Sequence, residues 1–291
     1  MDNFGSISKA RVAILGMGLM GGSLALALRD HVRELRAADP DLAALELAHQ
    51  LGLVHRLSVD PSEVLPGSDI VILAAPVHAI LELIKLLPDL HPGSPIVLDL
   101  GSTKTQICRA MEGLPERFDP IGGHPMCGKE TSGLRSAEAV IFKGATFAFS
   151  ALGRTSQRAS GTADQIARVI GAVPVWIDPE VHDRWVAATS HVPYLLANAL
   201  SLATPIEAAR LVGPGFHSTS RLAASFAPMM LDVLVSNQEN IHQALRRFRA
   251  ELDIIESTLD QEDHAFLEEV LARSTERHAE LVVSSQGSVE P

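Results

Sequence analysis

The stretch Arg11–Gly22, RVAILGMGLMGG, decides how the rest of the chain is read. Arg11–Gly16 is an apolar run ending in glycine, a buried-strand pattern, and the helical periodicity of Leu19–His31 follows it. Between them stand Gly16, Gly18 and Gly21 as G-x-G-x-x-G. Alone that spacing is weak, but in a strand–turn–helix context each glycine has a physical task. Gly16 permits the tight turn, Gly18 lets a pyrophosphate approach the backbone, and Gly21 lets helix and strand pack closely. The helix start then offers unpaired N–H groups and partial positive charge to phosphates. Asp39 lies eighteen residues after Gly21, at the end of a short second strand, Leu35–Asp39. A carboxylate there accepts hydrogen bonds from ribose hydroxyls and repels a 2′-phosphate. Pro40 and Asp41 follow it instead of an arginine, so the expected cofactor is NAD and not NADP. Leu19 and Met20 in the turn, Ala75-Pro76 at the end of a third strand, and Ser102 complete the expected cofactor-binding set.

Outward from this turn the first half alternates strand and helix signals. Strand patterns recur at Asp69–Ala75, Ile96–Leu100, Thr146–Ser150 and Val173–Ile177, with helix patterns at Asp41–Leu51, Ala79–Leu87 and Ala163–Ile170. Near-continuous Val/Ile/Leu strands separated by helices indicate a mainly parallel sheet covered on both faces. Strand signals stop at Asp178-Pro179, a natural boundary because the residue before proline resists helix. Beyond it, 182–204 reads as one long helix, 241–259 and 263–283 as two more, and Ser284–Pro291 as a frayed tail. The expected fold is therefore an α/β Rossmann-like N-terminal domain over residues 1–178, followed by an all-α C-terminal domain over 179–291. Ile241, Leu245, Phe248, Leu252, Ile255 and Leu259 form an apolar stripe on one helix face. Such a stripe serves core packing or a homodimer seam, and a homodimer through the C-terminal helices is expected.

Composition narrows the function classes. With 291 residues, 46% hydrophobic and 20% charged, the chain reads as an ordinary globular protein of two domains. A formal charge of −11 argues against nucleic acid and against anionic membrane surfaces as partners. It leaves room for a small anionic substrate held by a local cluster. Two cysteines, Cys108 and Cys127, give no disulfide framework, and a cytoplasmic setting is expected. The uncharged run Val12–Leu28 is glycine-rich and lacks a convincing cleavage site, so it is read as part of the fold and not as a signal sequence.

Three segments offer chemistry. Gly122–Gly128, GGHPMCG, puts His124 in what reads as a Gly/Pro-rich loop beyond a strand, where an imidazole can take a proton near neutral pH. Ser102 and Thr103 follow the Ile96–Leu100 strand, where a hydroxyl reaches the nicotinamide region or merely caps a helix. Arg221 suits a substrate carboxylate through bidentate hydrogen bonding, or is an ordinary surface arginine. A metal site built on His124 and Cys127 has no further ligands at suitable spacing.

Taken in order, GMGLMGGS (16–23), DLGSTK (99–104), GGHPMCGKETSG (122–133), HDRW (182–185), SHVPYLLANAL (190–200) and the segment 213–230 resemble the prephenate/arogenate dehydrogenase family of tyrosine biosynthesis. The resemblance covers nearly the whole chain. It implies oxidative decarboxylation of prephenate or arogenate with NAD, and a set of roles. His124 accepts the ring-hydroxyl proton, and Ser102 places that hydroxyl and the nicotinamide. Arg221 holds a substrate carboxylate, and Glu130 stands at the pocket entrance. His191, Tyr194 and Asp183 belong to the substrate side. Tyr194 stands where many members have a second histidine, His217-Ser218 replaces a basic–acidic pair, and Met230 replaces a tryptophan. The departures fall where the substrate side chain is read, so prephenate and arogenate stay undecided. A β-hydroxyacid dehydrogenase is the nearest rival, but it needs a lysine on the first long helix after the Rossmann domain, and none occurs after Lys143. A non-catalytic NAD sensor would not need both His124 and Arg221.

Overall fold

The computed structural model describes residues 6–286. The elements of the first part are β1 (Arg11–Leu15), α1 (Leu19–Leu28), β2 (Glu34–Ala38), α2 (Leu42–Gln50), β3 (Arg56–Ser58), β4 (Ile70–Leu73), α3 (Val77–Leu90), β5 (Ile96–Asp99) and α4 (Thr105–Glu112). After these come β6 (Asp119–Pro125), β7 (Thr146–Ala151), α5 (Gln157–Val169) and β8 (Val173–Trp176). They build one eight-stranded sheet in the order β3-β2-β1-β4-β5-β6-β7-β8. All pairs are parallel except β6 with β7. The chain runs outward from β1 to β3, then returns to β4 on the other side of β1. That reversal opens a crevice at the carboxyl ends of β1 and β4, where α/β sheets bind ligands.

The central strands β1, β4 and β5 are apolar at every position but Arg11 and Asp99, because both faces are covered. Alternate side chains serve opposite cores, as the period of two requires. Val12, Ile14, Ile70, Ile72, Ile96 and Leu98 join Leu24 and Leu28 of α1 and Ile166 of α5 in one cluster. Leu15, Val71, Leu73 and Val97 join Ile80, Ile84 and Leu87 of α3 and Ile107 and Met111 of α4 in the other.

Two sequence expectations need correction here. The GGHP segment is not a loop: Gly122, Gly123 and His124 lie within β6 and pair with Ser150, Phe149 and Ala148 of β7. The glycines are there for close approach. A Cβ at Gly122 would stand 2.7 Å from Cys108 Sγ, and one at Gly123 2.7 Å from the Asp99 carbonyl oxygen. Nor is 182–204 one helix. The chain forms α6 (Pro179–Val186), a π turn (Ala187–His191) and α7 (Val192–Ala203). Pro193 in the first turn of α7 has no N–H and its ring crowds the carbonyl four residues back, so the regular ladder breaks and Val192 N–H reaches Ala187 O instead.

Two short helices, α8 (Pro214–Ser220) and α9 (Ala227–Ser236), precede α10 (Gln238–Asp260) and α11 (His264–Gln286). By contact density the chain divides into two compact units, one ending at Gln238 and the other starting at Glu239. In the second unit, Leu252 and Leu259 of the α10 stripe are exposed. Ser284–Gln286 belong to α11, and the remainder of the expected frayed tail, 287–291, lies outside the described residues. Among the described residues no helix is long and apolar enough to cross a membrane.

Candidate active site

Two clefts meet at the β1–β4 crevice. One, of about 610 Å³, is lined by Gly16, Gly18, Asp39, Val59, Ala75 and Pro76 among others. The second, of about 300 Å³, shares Gly18, Ala75 and Pro76 and adds Leu19, Met20, Gly101, Ser102, Cys127 and Glu130. Together they form a track with Asp39 at one end and Ser102 at the other, matching the expected cofactor set except Gly21. That glycine sits behind the track, where a Cβ would meet the Gly16 carbonyl oxygen. Gly16 adopts φ 107°, a left-handed conformation open to glycine, and a Cβ there would strike the Ala74 carbonyl. At Gly18 a Cβ would meet nothing, so a pyrophosphate has clear access to the backbone. The Asp39 carboxylate is held in place by N–H donation from Met17 at 2.6 Å and Asp41 at 2.7 Å. These residues fit a dinucleotide with free ribose hydroxyls.

Next to this track, a chain of hydrogen bonds runs from β6 to α6. His124 Nδ1 lies 3.0 Å from His182 Nε2, and His182 Nδ1 lies 2.8 Å from Asp183 Oδ1. Asp183 also accepts the Lys104 N–H at 2.7 Å and the Thr105 N–H at 2.8 Å, capping the start of α4. Burial pushes its carboxyl up, but the hydrogen bonds from His182, Thr105 and Lys104 outweigh it and the net shift is downward. An ionised Asp183 makes His182 Nδ1 the donor. With the His182 proton on Nδ1, Nε2 accepts, so His124 Nδ1 donates and His124 Nε2 keeps its lone pair. Burial, then the neighbouring His182, Lys104 and His191, hold His124 well below the ordinary histidine range. The ring is a neutral base with one free nitrogen.

His191 is buried in the π turn, with Nδ1 3.2 Å from Asn237 Nδ2. The same Asn237 amide donates to the Asp183 carbonyl at 2.7 Å. The His191 pKa is lowered to about 4: burial is the largest cause, Asp183 opposes it and His182 adds to the lowering. Thr103 Oγ1 meets Ser236 Oγ at 2.9 Å, and Asp232 of α9 accepts the His78 N–H at 2.9 Å. Glu130, in the lining of the smaller cleft, forms an ion pair with Arg221, whose side chain is 61% exposed.

The expected residues thus fall into three groups. Ser102, Glu130 and the cofactor set share the clefts; His124, Asp183 and His191 converge around His182; Arg221 reaches the cleft through Glu130. Neither the His124 ring nor Arg221 is among the residues lining these two clefts. Tyr194 is buried on α7 and lines neither. Sequence reading missed His182, Asn237, Ser236, Asp232 and the Asp99–Lys104 pair. For His182 a signal existed, since it adjoins Asp183 in HDRW.

Comparison with known proteins agrees with this architecture. Residues 24–175 match the family model described as prephenate dehydrogenase, nucleotide-binding domain, and 178–273 match prephenate dehydrogenase, dimerization domain. The chain is 28% identical to a prephenate dehydrogenase of Bacillus subtilis over 88% of this chain and 71% of the relative. It is 23% identical to a cyclohexadienyl dehydrogenase of Zymomonas mobilis over 96% and 98%. The structure of prephenate dehydrogenase from A. aeolicus in complex with hydroxyphenyl propionate and NAD+ superposes with a TM-score of 0.85 at 26% identity, covering 95% of this chain and 99% of that one. A Gly-rich crevice, a neutral histidine beside it and family models matching both segments lead to one conclusion: the chain belongs to the prephenate dehydrogenase family.

Proposed function

We propose that this chain is an NAD-dependent dehydrogenase that oxidatively decarboxylates prephenate or arogenate, giving 4-hydroxyphenylpyruvate or tyrosine. The observation that supports it most is the hydrogen-bond chain that leaves His124 Nε2 unprotonated beside the crevice. Gly16, Gly18, Leu19, Met20, Asp39, Ala75 and Pro76 would hold NAD, with Gly21 packed behind them. When bound, NAD supplies the hydride acceptor. His124 takes the hydroxyl proton as the carbinol carbon is oxidised, and returns it once loss of CO2 has made the ring aromatic. No proton is consumed overall. His182 and Asp183 accommodate the transient charge on His124, and Ser102 orients the hydroxyl.

Arg221 takes a substrate carboxylate in exchange for Glu130. The pair is exposed, so separating it costs only about 0–1 kcal/mol. We assign the cofactor role to residues 1–178 and the substrate and dimerisation roles to 179–291, in line with the two family models. His191, Asp183 and Tyr194 belong to the substrate side of that division. A homodimer in the cytoplasm completes the reading.

The test is NADH formation, followed by absorbance, with prephenate and with arogenate. One or both should be turned over with NAD in preference to NADP. No NADH with either substrate would refute the assignment.

A further inference from the structure

Asp99 ends β5 with a fully buried carboxylate on which three donors converge. Gly101 N–H donates to Oδ2 at 2.8 Å, Gly123 N–H donates to Oδ1 at 3.1 Å, and the Lys104 ammonium closes on Oδ2. Gly101 immediately precedes Ser102, and Gly123 immediately precedes His124. One carboxylate therefore grips the two backbone amides next to the two side chains assigned to the substrate hydroxyl. Both charged groups are 0% exposed. A buried ion pair is a poor source of stability, because removing two charges from water offsets most of their attraction. Apolar side chains reach the same place: a Cβ on Gly101 would stand 2.5 Å from Ile107 Cδ1 and 3.0 Å from Asp99 Oδ2.

We propose that Asp99 and Lys104 are positioning residues of this reaction: their pair fixes the Ser102 turn against the His124 strand. The charged and titratable groups facing His124 are few. His182 comes from α6 at 3.0 Å, His191 from the π turn and Lys104 from the β5–α4 turn. Asp183 stands one step away behind His182, and Asp99 is engaged by Lys104. The Cys108 thiol of α4 is pushed by burial to about 12 and brings no charge. Lys104 disfavours protonation of His124.

The inference rests on His124 as the base. The test variant is Lys104→Met. Burial already pushes the Asp99 carboxyl up, so without the ammonium it takes a proton, and its two glycine N–H partners remain. The His124 ring is titrated by NMR through its 13Cε1 signal, assigned by its loss in His124→Asn, while turnover and the KM for NAD are followed in parallel. In Lys104→Met the His124 midpoint should rise by about one pH unit. Turnover should fall at least about tenfold with the KM for NAD within about twofold. A folded Lys104→Met with the midpoint and turnover of the parent overturns the proposal. Should this variant not fold, the same midpoint, turnover and KM are measured in Asp99→Asn/Lys104→Met, where parental values likewise overturn the proposal. Failure of both to fold marks the pair as a folding requirement and also overturns it. Activity retained in His124→Asn would instead remove His124 as the base, the part of the functional reading on which the inference rests.

Discussion

Burial acts on His124 and His191 in the same direction. Both are held below the ordinary histidine range, His191 at about 4. A histidine whose folded pKa is depressed binds its proton better in the unfolded chain, so its contribution to stability is complete above the unfolded value of about 6.5. That contribution is lost as pH falls from about 6.5 toward 4. Asp183 behaves as a depressed carboxylate, whose stabilising contribution is lost only at lower pH, below its ordinary value of 3.8. Urea midpoints should therefore fall between pH 6.5 and 4, and fall less steeply in His191→Asn; identical slopes would remove His191 from this account. At this scale the sequence was legible where a residue sits in a local motif, as do Asp39 and Ser102, which line the clefts. It was silent on His182 as a partner, because that pairing joins positions 58 residues apart. Lys104 likewise looks like a surface lysine until the turn folds it onto Asp99.

Among the elements, β6 most directly determines the site. Its pairing with β7 directs the His124 side chain, and its two glycines admit neighbouring strands and helices where a Cβ would collide. Gly123→Ala puts a Cβ 2.7 Å from the Asp99 carbonyl oxygen and 2.8 Å from Leu98 Cδ1. It should destabilise the chain by roughly 1–3 kcal/mol in chemical unfolding, and turnover should fall more than the loss of folded fraction explains. Unchanged stability would mean that the strand can shift at no cost. The Rossmann turn was readable because its glycines and apolar periodicity act over a few residues. β6 was not, since Gly and Pro are loop formers by local preference and only the crowding of neighbours explains their place in a strand. The π turn escaped for a related reason: Pro193 could be seen, but a register change that buries His191 depends on packing.

On the scale of the whole molecule, the strand-order reversal places the crevice, and segments between residues 179 and 237 bring polar groups such as Asp183, Asp232 and Asn237 to the same part of the fold. Leu202, Ile206 and Leu211 are each more than 80% exposed, and Leu231 and Val235 more than 60%. Side chains of this kind are available to a partner, as the proposed homodimer requires. Light scattering should report twice the chain mass; a monomer at working concentrations would contradict the homodimer. The division into an α/β part and a helical part was legible from where strand signals end, whereas the outlines of the clefts were not, because they are assembled from distant turns. The central claim is that His124 is the base while NAD is held elsewhere, on the glycine turn and Asp39. Turnover of wild type and His124→Ala, measured beside NAD affinity in both, tests it most directly. Turnover should drop at least ~100-fold with NAD affinity unchanged; near-normal turnover, or an NAD affinity that falls with it, would contradict the account.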